Sequence, residues 1–425
     1  MKQIEAIGPV RIAGSDVQHA PCVKAGNWVF LNGIEASDHV HGLAPEVAGV
    51  AGLPYHGPPR HRREGDYICA RLKDLLARAG TDFAHSVRLD QYYPTWKAVD
   101  PYHLARKSAF GDYIPPSTSV IMDELLVKGA DITTSLLAVL PGGGRDPQRV
   151  SPPKVTAPVW SGFVPAVKSG DFVFIAGQMA RGAENVPDPR AHVPPHSRWG
   201  GYEIRRQTEY IITEKLLPAL AASGSSAASA VKAQAYLRHV DDTAHFLDVW
   251  NAHFGARRCA LTVMPTSDFG LVGGDLEINL LALADAGATR KQVVECDIPA
   301  AMTFGAPAVR AGDLLLTSGL TAVDDAGALA GVRTGAQMPH FGCAAREQIR
   351  SILDAAERIC RAAGASLDNV ARIQQFHTDL AGFYPMYHAL RERLGAGPLP
   401  YSAVRVPALP VPEVSVVTDL WIYAP

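Results

Sequence analysis

One segment occurs three times in this chain, and its spacing constrains everything else. Pro21–Gly33 reads PCVKAGNWVFLNG, Pro165–Gly177 reads PAVKSGDFVFIAG and Pro307–Gly319 reads PAVRAGDLLLTSG. Each copy runs from Pro and a Val to a basic residue, a small residue, Gly and Asn or Asp. Four or five mostly apolar residues then lead to a second Gly. This is the pattern of a β-hairpin arm: a strand, a tight turn at Gly-Asn or Gly-Asp, and a second, buried strand. The closing Gly permits close backbone approach or a positive φ where the strand ends. Copies 144 and 142 residues apart have the period of a small domain, not of a solenoid repeat.

Length alone gives 425 residues room for two to four domains, and the repeat selects three: 1–142, 143–287 and 288–425. A hydrophobic content of 47% is enough for a sizeable core in each. The net charge of −2 provides no electrostatic footprint for nucleic acid or an anionic membrane. The start, MKQIEAIGPV, lacks the apolar stretch of a signal peptide, and no apolar run reaches bilayer length. Six cysteines without close pairs exclude a CxxC signature and suit reduced thiols in a cytoplasm.

Each hairpin is followed by the same series. In the first repeat a polar, Gly/Pro-rich excursion (37–65) precedes a helix over Tyr67–Ala79, whose Ile68, Leu72, Leu75 and Leu76 recur at helical spacing. A strand at Ser86–Tyr93, a helix at Pro101–Phe110 and strands at Ser117–Met122 and Ile132–Leu140 follow. The second repeat matches this with helices at Glu203–Ala222 and Ala244–Phe254 and strands at Val231–Tyr236, Arg258–Met264 and Leu276–Ala282. The third has helices at Ala345–Ala363 and Phe383–Leu394 and strands at Val370–Phe376, Ser402–Val406 and Val414–Ile422. PGGGRDPQRVSPPK (141–154) reads as a linker. An extra strand ahead of the hairpin is expected at Val155–Val159 and Gln292–Ile298. Each unit is therefore an α+β layer with two helices on one sheet face. The last strands are too apolar to face water, so the three sheets should pack about a pseudo-threefold axis.

The ordered set, repeated three times, resembles the Rid family (RidA, or YjgF, with the older name L-PSP endoribonuclease). The resemblance rests on hairpins ending in Asn32-Gly33, Ala176-Gly177 and Ser318-Gly319, helices ending in Ala/Ser-Gly, and a segment around Arg257 before the last strand pair. It implies chorismate-mutase-like domains forming an intramolecular pseudo-trimer, with ligand clefts between neighbouring units. The family's carboxylate-binding Arg is placed on Arg257, with Ser117 and Tyr401 as its counterparts; Arg258 competes for the role if the register is off by one. The family's Cys falls on Cys259 (Ser119 and Ala403 elsewhere), its Glu on Glu277 (Thr133 and Val417), and its aromatic on Phe163 (His19 and Gly305). The middle copy thus looks like the armed one and the other two degenerate.

By this resemblance Arg257 grips a substrate carboxylate and Glu277 positions the water that attacks an imine carbon. Gly177 offers its backbone N–H or serves only the turn, and Cys259 and Phe163 line the pocket. The expected activity is hydrolytic deamination of an enamine or imine carboxylate, with no cofactor, since an imine carbon is already electrophilic. Hydrolysis of a C–O or C–N bond in a cyclic carboxylate, or carboxylate binding without catalysis, are the alternatives. The expected partner is a small-molecule carboxylate, not nucleic acid or membrane, and the chain is expected to be a monomeric pseudo-trimer or low-order homo-oligomer. His39, His41, His56, His61, His192, His196 and His340 sit in the excursions, and their spacing matches no metal-ligand pair, so no metal is expected.

Overall fold

The computed structural model describes residues 3–50, 53, 57–153, 155, 160–182, 184–194, 196, 202–332 and 342–425; the Arg257 side chain is outside that description. Three large sheets share one strand order. The first runs Ile4–Ile7, Cys22–Ala25, Trp28–Glu35, Thr133–Val139, Ser86–Tyr93, Ser117–Ile121. The second runs Pro147–Val150, Ala166–Ser169, Phe172–Gln178, Leu276–Ala284, Ser225–Leu237, Ala260–Pro265. The third runs Lys291–Val294, Ala308–Ala311, Leu314–Thr317, Val416–Tyr423, Val370–His377, Tyr401–Arg405. In each, the last pair is parallel and the others are antiparallel. The architecture is the expected α+β repeat.

Several local expectations change, among them the strand expected at Val231–Tyr236, which runs Ser225–Leu237, and that at Gln292–Ile298, which runs Lys291–Val294. Pro147–Val150, read as linker, is the first strand of the second sheet and pairs with Ala166–Ser169. Pro147 is tolerated because it starts an edge strand, where a missing N–H costs little. Residues 156–159 of the strand expected at Val155–Val159 lie outside the described residues. The first long helix spans Arg60–Ala79 rather than starting at Tyr67. Its opening turns bury little apolar surface, so periodicity missed them. Charged pairs hold them: Arg60 with Glu64 and Arg62 with Asp66 at i,i+4.

A clasp recurs near the start of each long helix. Glu64 accepts the N–H groups of Asp131 (2.7 Å) and Ile132 (3.0 Å), Gln207 that of Asp275 (2.8 Å) and Gln348 that of Ser415 (2.8 Å). Each fixes the chain just before or at the entry to the strand carrying the Glu277, Thr133 or Val417 position.

The repeats close on one another as a ring. Ile114 bridges Phe163, Ile121 bridges Asp268, and His19 bridges Leu399. Cys259 C=O accepts from Ala306 N–H, and Glu124–Leu125 of the first repeat pairs with Tyr401–Arg405 in the third sheet. The inner sheet faces meet in a shared apolar core that includes Trp28, Phe172, Leu314 and Trp421. Trp28 packs edge-on against Phe172 at 5.0 Å between centroids.

Along the centre the strands Ser86–Tyr93, Ser225–Leu237 and Val370–His377 place polar residues on matched levels. Arg88, Lys232 and Arg372 form one level, Asp90, Gln234 and Gln374 the next, and Tyr92, Tyr236 and Phe376 the third. Arg372 donates to Asp90 (2.7 Å), Gln234 to Gln374 (2.8 Å), and Gln374 to Tyr92 (2.5 Å). Tyr92 and Tyr236 share a hydroxyl contact of 2.8 Å, while Lys232 pairs with Asp419 at 2.7 Å. Removing one member of such a buried ion pair strands the other charge away from water. Lys232→Met should therefore lose about 3–5 kcal/mol of unfolding free energy. Chemical denaturation of the full chain should show one cooperative transition, shifted to lower denaturant in the variant, because all three repeats share this axis.

Candidate active site

Glu277 and Gly177 face each other within the second repeat. Glu277 is cross-strand partner to Tyr236 and lies beside the bulge between Ile175 and Gln178. A Cβ on Gly177 would stand 1.8 Å from Glu277 Oε1. Gly177 is thus glycine because the carboxylate occupies the space of its side chain. Gly33, at the same place in the first repeat, uses glycine's other property, with φ at +56°.

The carboxylate of Glu277 points across the seam to the first repeat, toward the N–H of Ser119. Burial raises its pKa to about 7, against the opposing pull of Arg181 and that N–H. Asn279, two residues on, donates to Thr118 Oγ1 at 2.9 Å and locks the same seam. Phe163 enters it as well: Val164 N–H donates to Ile114 C=O (2.9 Å), and the ring packs in the first repeat's core. Phe163, Gly177 and Glu277 therefore all lie along the side of the second repeat that faces the first.

Arg257 and Cys259 do not join them, and the register shows why. Asp90, Gln234 and Gln374 pair with Thr118, Thr262 and Ser402. The residue in line with Ser117 and Tyr401 is therefore Leu261, and Val263 aligns with Ser119 and Ala403. Arg257 and Cys259 precede those positions by four residues. Tyr236 pairs with both Glu277 and Met264, so Cys259 lies about five residues, roughly 16 Å of strand, from the level of Glu277. It sits on the seam with the third repeat, and burial pushes its thiol up to about 11, which leaves it protonated. Arg258 is on the same seam, half-exposed, and paired with Glu295.

Two groups missed by sequence reasoning complete the site. Arg181 stands just past the bulged strand, at the neck of a small loop closed by its bridge to Pro187, and donates to Asn185 Oδ1 at 2.9 Å. Its charge acts on Glu277, yet no ion pair within 4.0 Å joins them among the described residues. A half-buried guanidinium so placed is free to bind a carboxylate two-pronged. From the first repeat, Ser119 Oγ lies 3.3 Å from Tyr93 Oη and 3.5 Å from His103 Nε2. Burial, and then Arg106, hold His103 well below its usual range, so the imidazole is neutral.

Among the described residues no group of three or more His, Cys, Asp or Glu is placed to hold a metal ion. His41, His61 and His192 each contact a carboxylate, those of Asp38, Asp131 and Glu203. His56 and His340 lie outside the described residues. No helix among the described residues is long and apolar enough to cross a membrane.

The family model described as Endoribonuclease L-PSP matches residues 155–284 and 295–419, together more than half of the chain. The chain belongs to this family, that of the YjgF/RidA proteins. The two matched segments are the second and third repeats; the first, outside both, shares their strand order. RidA from an Antarctic Psychrobacter is 26% identical over 31% of this chain and 98% of its own, with a TM-score of 0.26. Yeast Mmf1 is 24% identical over 33% and 99%, with a TM-score of 0.28. A chorismatase is 11% identical over 80% and 93%, with a TM-score of 0.49. Comparison with curated proteins returns no significant match.

Gly177→Ala tests the packing of this site. The new methyl must expel the Glu277 carboxylate, at a cost of about 1–3 kcal/mol. With the carboxylate driven toward water, the Glu277 pKa, followed by carbon NMR, should fall from about 7 toward the ordinary carboxylate range.

Proposed function

We propose that this protein is a cofactor-independent hydrolase that deaminates a small enamine or imine carboxylate in the seam between its first and second repeats. The reading rests on one observation above others. Glu277, a buried carboxyl with a pKa near 7, lies beside a guanidinium that it does not directly pair with. The gap between them suits a ligand whose carboxylate is held by Arg181 and whose electrophilic carbon lies near Glu277. Arg181 takes the role first assigned to Arg257, which ends the turn Gly255–Arg257 ahead of the strand Ala260–Pro265.

In this scheme the enamine first gains a proton on carbon and becomes an iminium. Water then attacks the iminium carbon and Glu277 takes its proton. The carbinolamine nitrogen is protonated in turn, the C–N bond breaks, and a 2-oxo acid and ammonia leave. Water supplies the oxygen and no electrons change hands. The neutral His103–Ser119 pair borders the attack side and offers a hydrogen bond to water or the leaving nitrogen.

Since the base form of Glu277 is the active one, kcat/KM should rise with pH through a value near 7. Glu277→Gln should abolish that limb and lower kcat by about 10²–10⁴-fold. Arg181→Ala should chiefly raise KM, by roughly ten- to a hundredfold for a lost charge-assisted contact of about 1.5–3 kcal/mol. The assay generates 2-aminoacrylate in place and follows ammonia and pyruvate, with stable cyclic carboxylates as a second arm. Turnover confined to the cyclic carboxylates would redirect the reading to C–O or C–N hydrolysis.

A further inference from the structure

The seam between the third and first repeats has lost the Glu position to Thr133 and the Arg position to Tyr401, yet it has a carboxylate of its own. Glu35 is the cross-strand partner of Thr133, two residues past Gly33 and on the same face. It accepts the Val127 N–H at 2.7 Å. Val127 is two residues from Leu125, which pairs with Val404, so Glu35 reaches the seam near Ala403. Ala403 is also beside Gln375 in the parallel pair, with Arg405 beside His377.

Gln375 and His377 are fully buried, and all four of their side-chain polar atoms lack a partner. Each such orphan normally costs about 1–3 kcal/mol, so two adjacent ones call for an occupant. The first repeat shows what is missing. There Gln91 bonds Arg106 (2.7 Å) and the Thr118 carbonyl (3.1 Å), whereas the matching helix position in the third repeat is Leu390. His377 faces Phe383 (6.1 Å), which packs edge-on against Tyr401 (5.0 Å). His19 from the first repeat lies against the Tyr401 ring at 4.5 Å.

Among the described residues no Lys or Arg lies within 4.0 Å of the Glu35 carboxylate, and Arg405, on the same strand as Tyr401, is paired with Asp123 and Glu124. Glu35 feels its own burial, the Val127 and Leu126 N–H groups, Thr133 and Glu64. Tyr401 feels burial, Tyr387 and Glu35. The seam therefore offers a carboxylate without an ion-pair partner and aromatic faces, its nearby guanidinium being already paired, the reverse of the Arg181 seam. A part-exposed carboxylate beside aromatic rings is what an organic ammonium ion recognises.

We propose that the seam between the third and first repeats is a second ligand site, independent of Glu277, that binds a small primary ammonium compound. Glu35 and the Tyr401 ring take the ammonium, and Gln375 with His377 take its uncharged polar group. Calorimetric titration of the full chain with ethanolamine tests this, with ethylammonium lacking the hydroxyl and sodium acetate as the anionic control. Saturable heat is expected for ethanolamine at pH 8, weaker for ethylammonium and absent for acetate. Affinity should fall at pH 5.5, where Glu35 is protonated. Glu35→Gln, which keeps an acceptor for the Val127 N–H, should weaken binding roughly tenfold or more, while Glu277→Gln should bind as the parent does. No saturable heat, or equal binding by the parent and Glu35→Gln, overturns the proposal. Gln375 and His377 would then be satisfied by buried water and Glu35 would be a structural acid.

Discussion

The structure depends on charge buried at its centre. Lys232, Asp419, Asp90, Arg372 and Arg88 have almost no contact with water, and their partners come from different repeats. Arg372 of the third repeat bonds Asp90 of the first, Arg88 of the first bonds Gln234 of the second, and Lys232 of the second bonds Asp419 of the third. Arg88 and Asp90 also pair within the first repeat, but Lys232 lacks its partner without the third, and Arg372 and Asp419 lack theirs without the first and the second. An apolar axis would tolerate sliding, whereas this one pairs its buried charges in a single arrangement. The ring of repeats, and hence the geometry of every seam, is set by that requirement.

Within the ring the three seams have diverged because each strand supplies a different side chain to the same place. At the final-strand position stand Thr133, Glu277 and Val417, and at the edge-strand position Ser117, Leu261 and Tyr401. The seam from the first to the second repeat combines Glu277 with Ser119, His103 and Arg181. The seam from the second to the third has neither the Glu nor the Arg at these two positions: Gly319 meets Thr262 and Val417. The seam from the third to the first is aromatic around Tyr401, with Glu35 at its edge. The symmetry of the backbone is thus a scaffold on which the chemistry is asymmetric.

The hairpins and the helix–strand order were legible because local turn chemistry and apolar alternation dictate them, whereas Glu277 was named only through the resemblance to the Rid family. Arg257 was misplaced because RRC at 257–259 imitates the expected motif while lying outside the paired strand. A count of spacing would have corrected it: Ser117 to Thr133 and Tyr401 to Val417 each span 16 residues, and so does Leu261 to Glu277. Arg181 left no such signal, since it lies in a loop whose course depends on the Asn185 turn. The clasp of Glu64, Gln207 and Gln348 was also hidden, because a polar residue on a helix reads as solvent-facing until its partner strand is known.

From sequence alone came three repeats and their α+β order, since hydrophobic period and turn residues act over a few neighbours. The tertiary structure decided which repeat faces which, and so which groups of the first repeat meet Glu277 and which polar groups of the third face the first without partners. Those pairings join residues more than a hundred positions apart. No local pattern encodes them; they follow from how the buried polar levels of the axis close on one another.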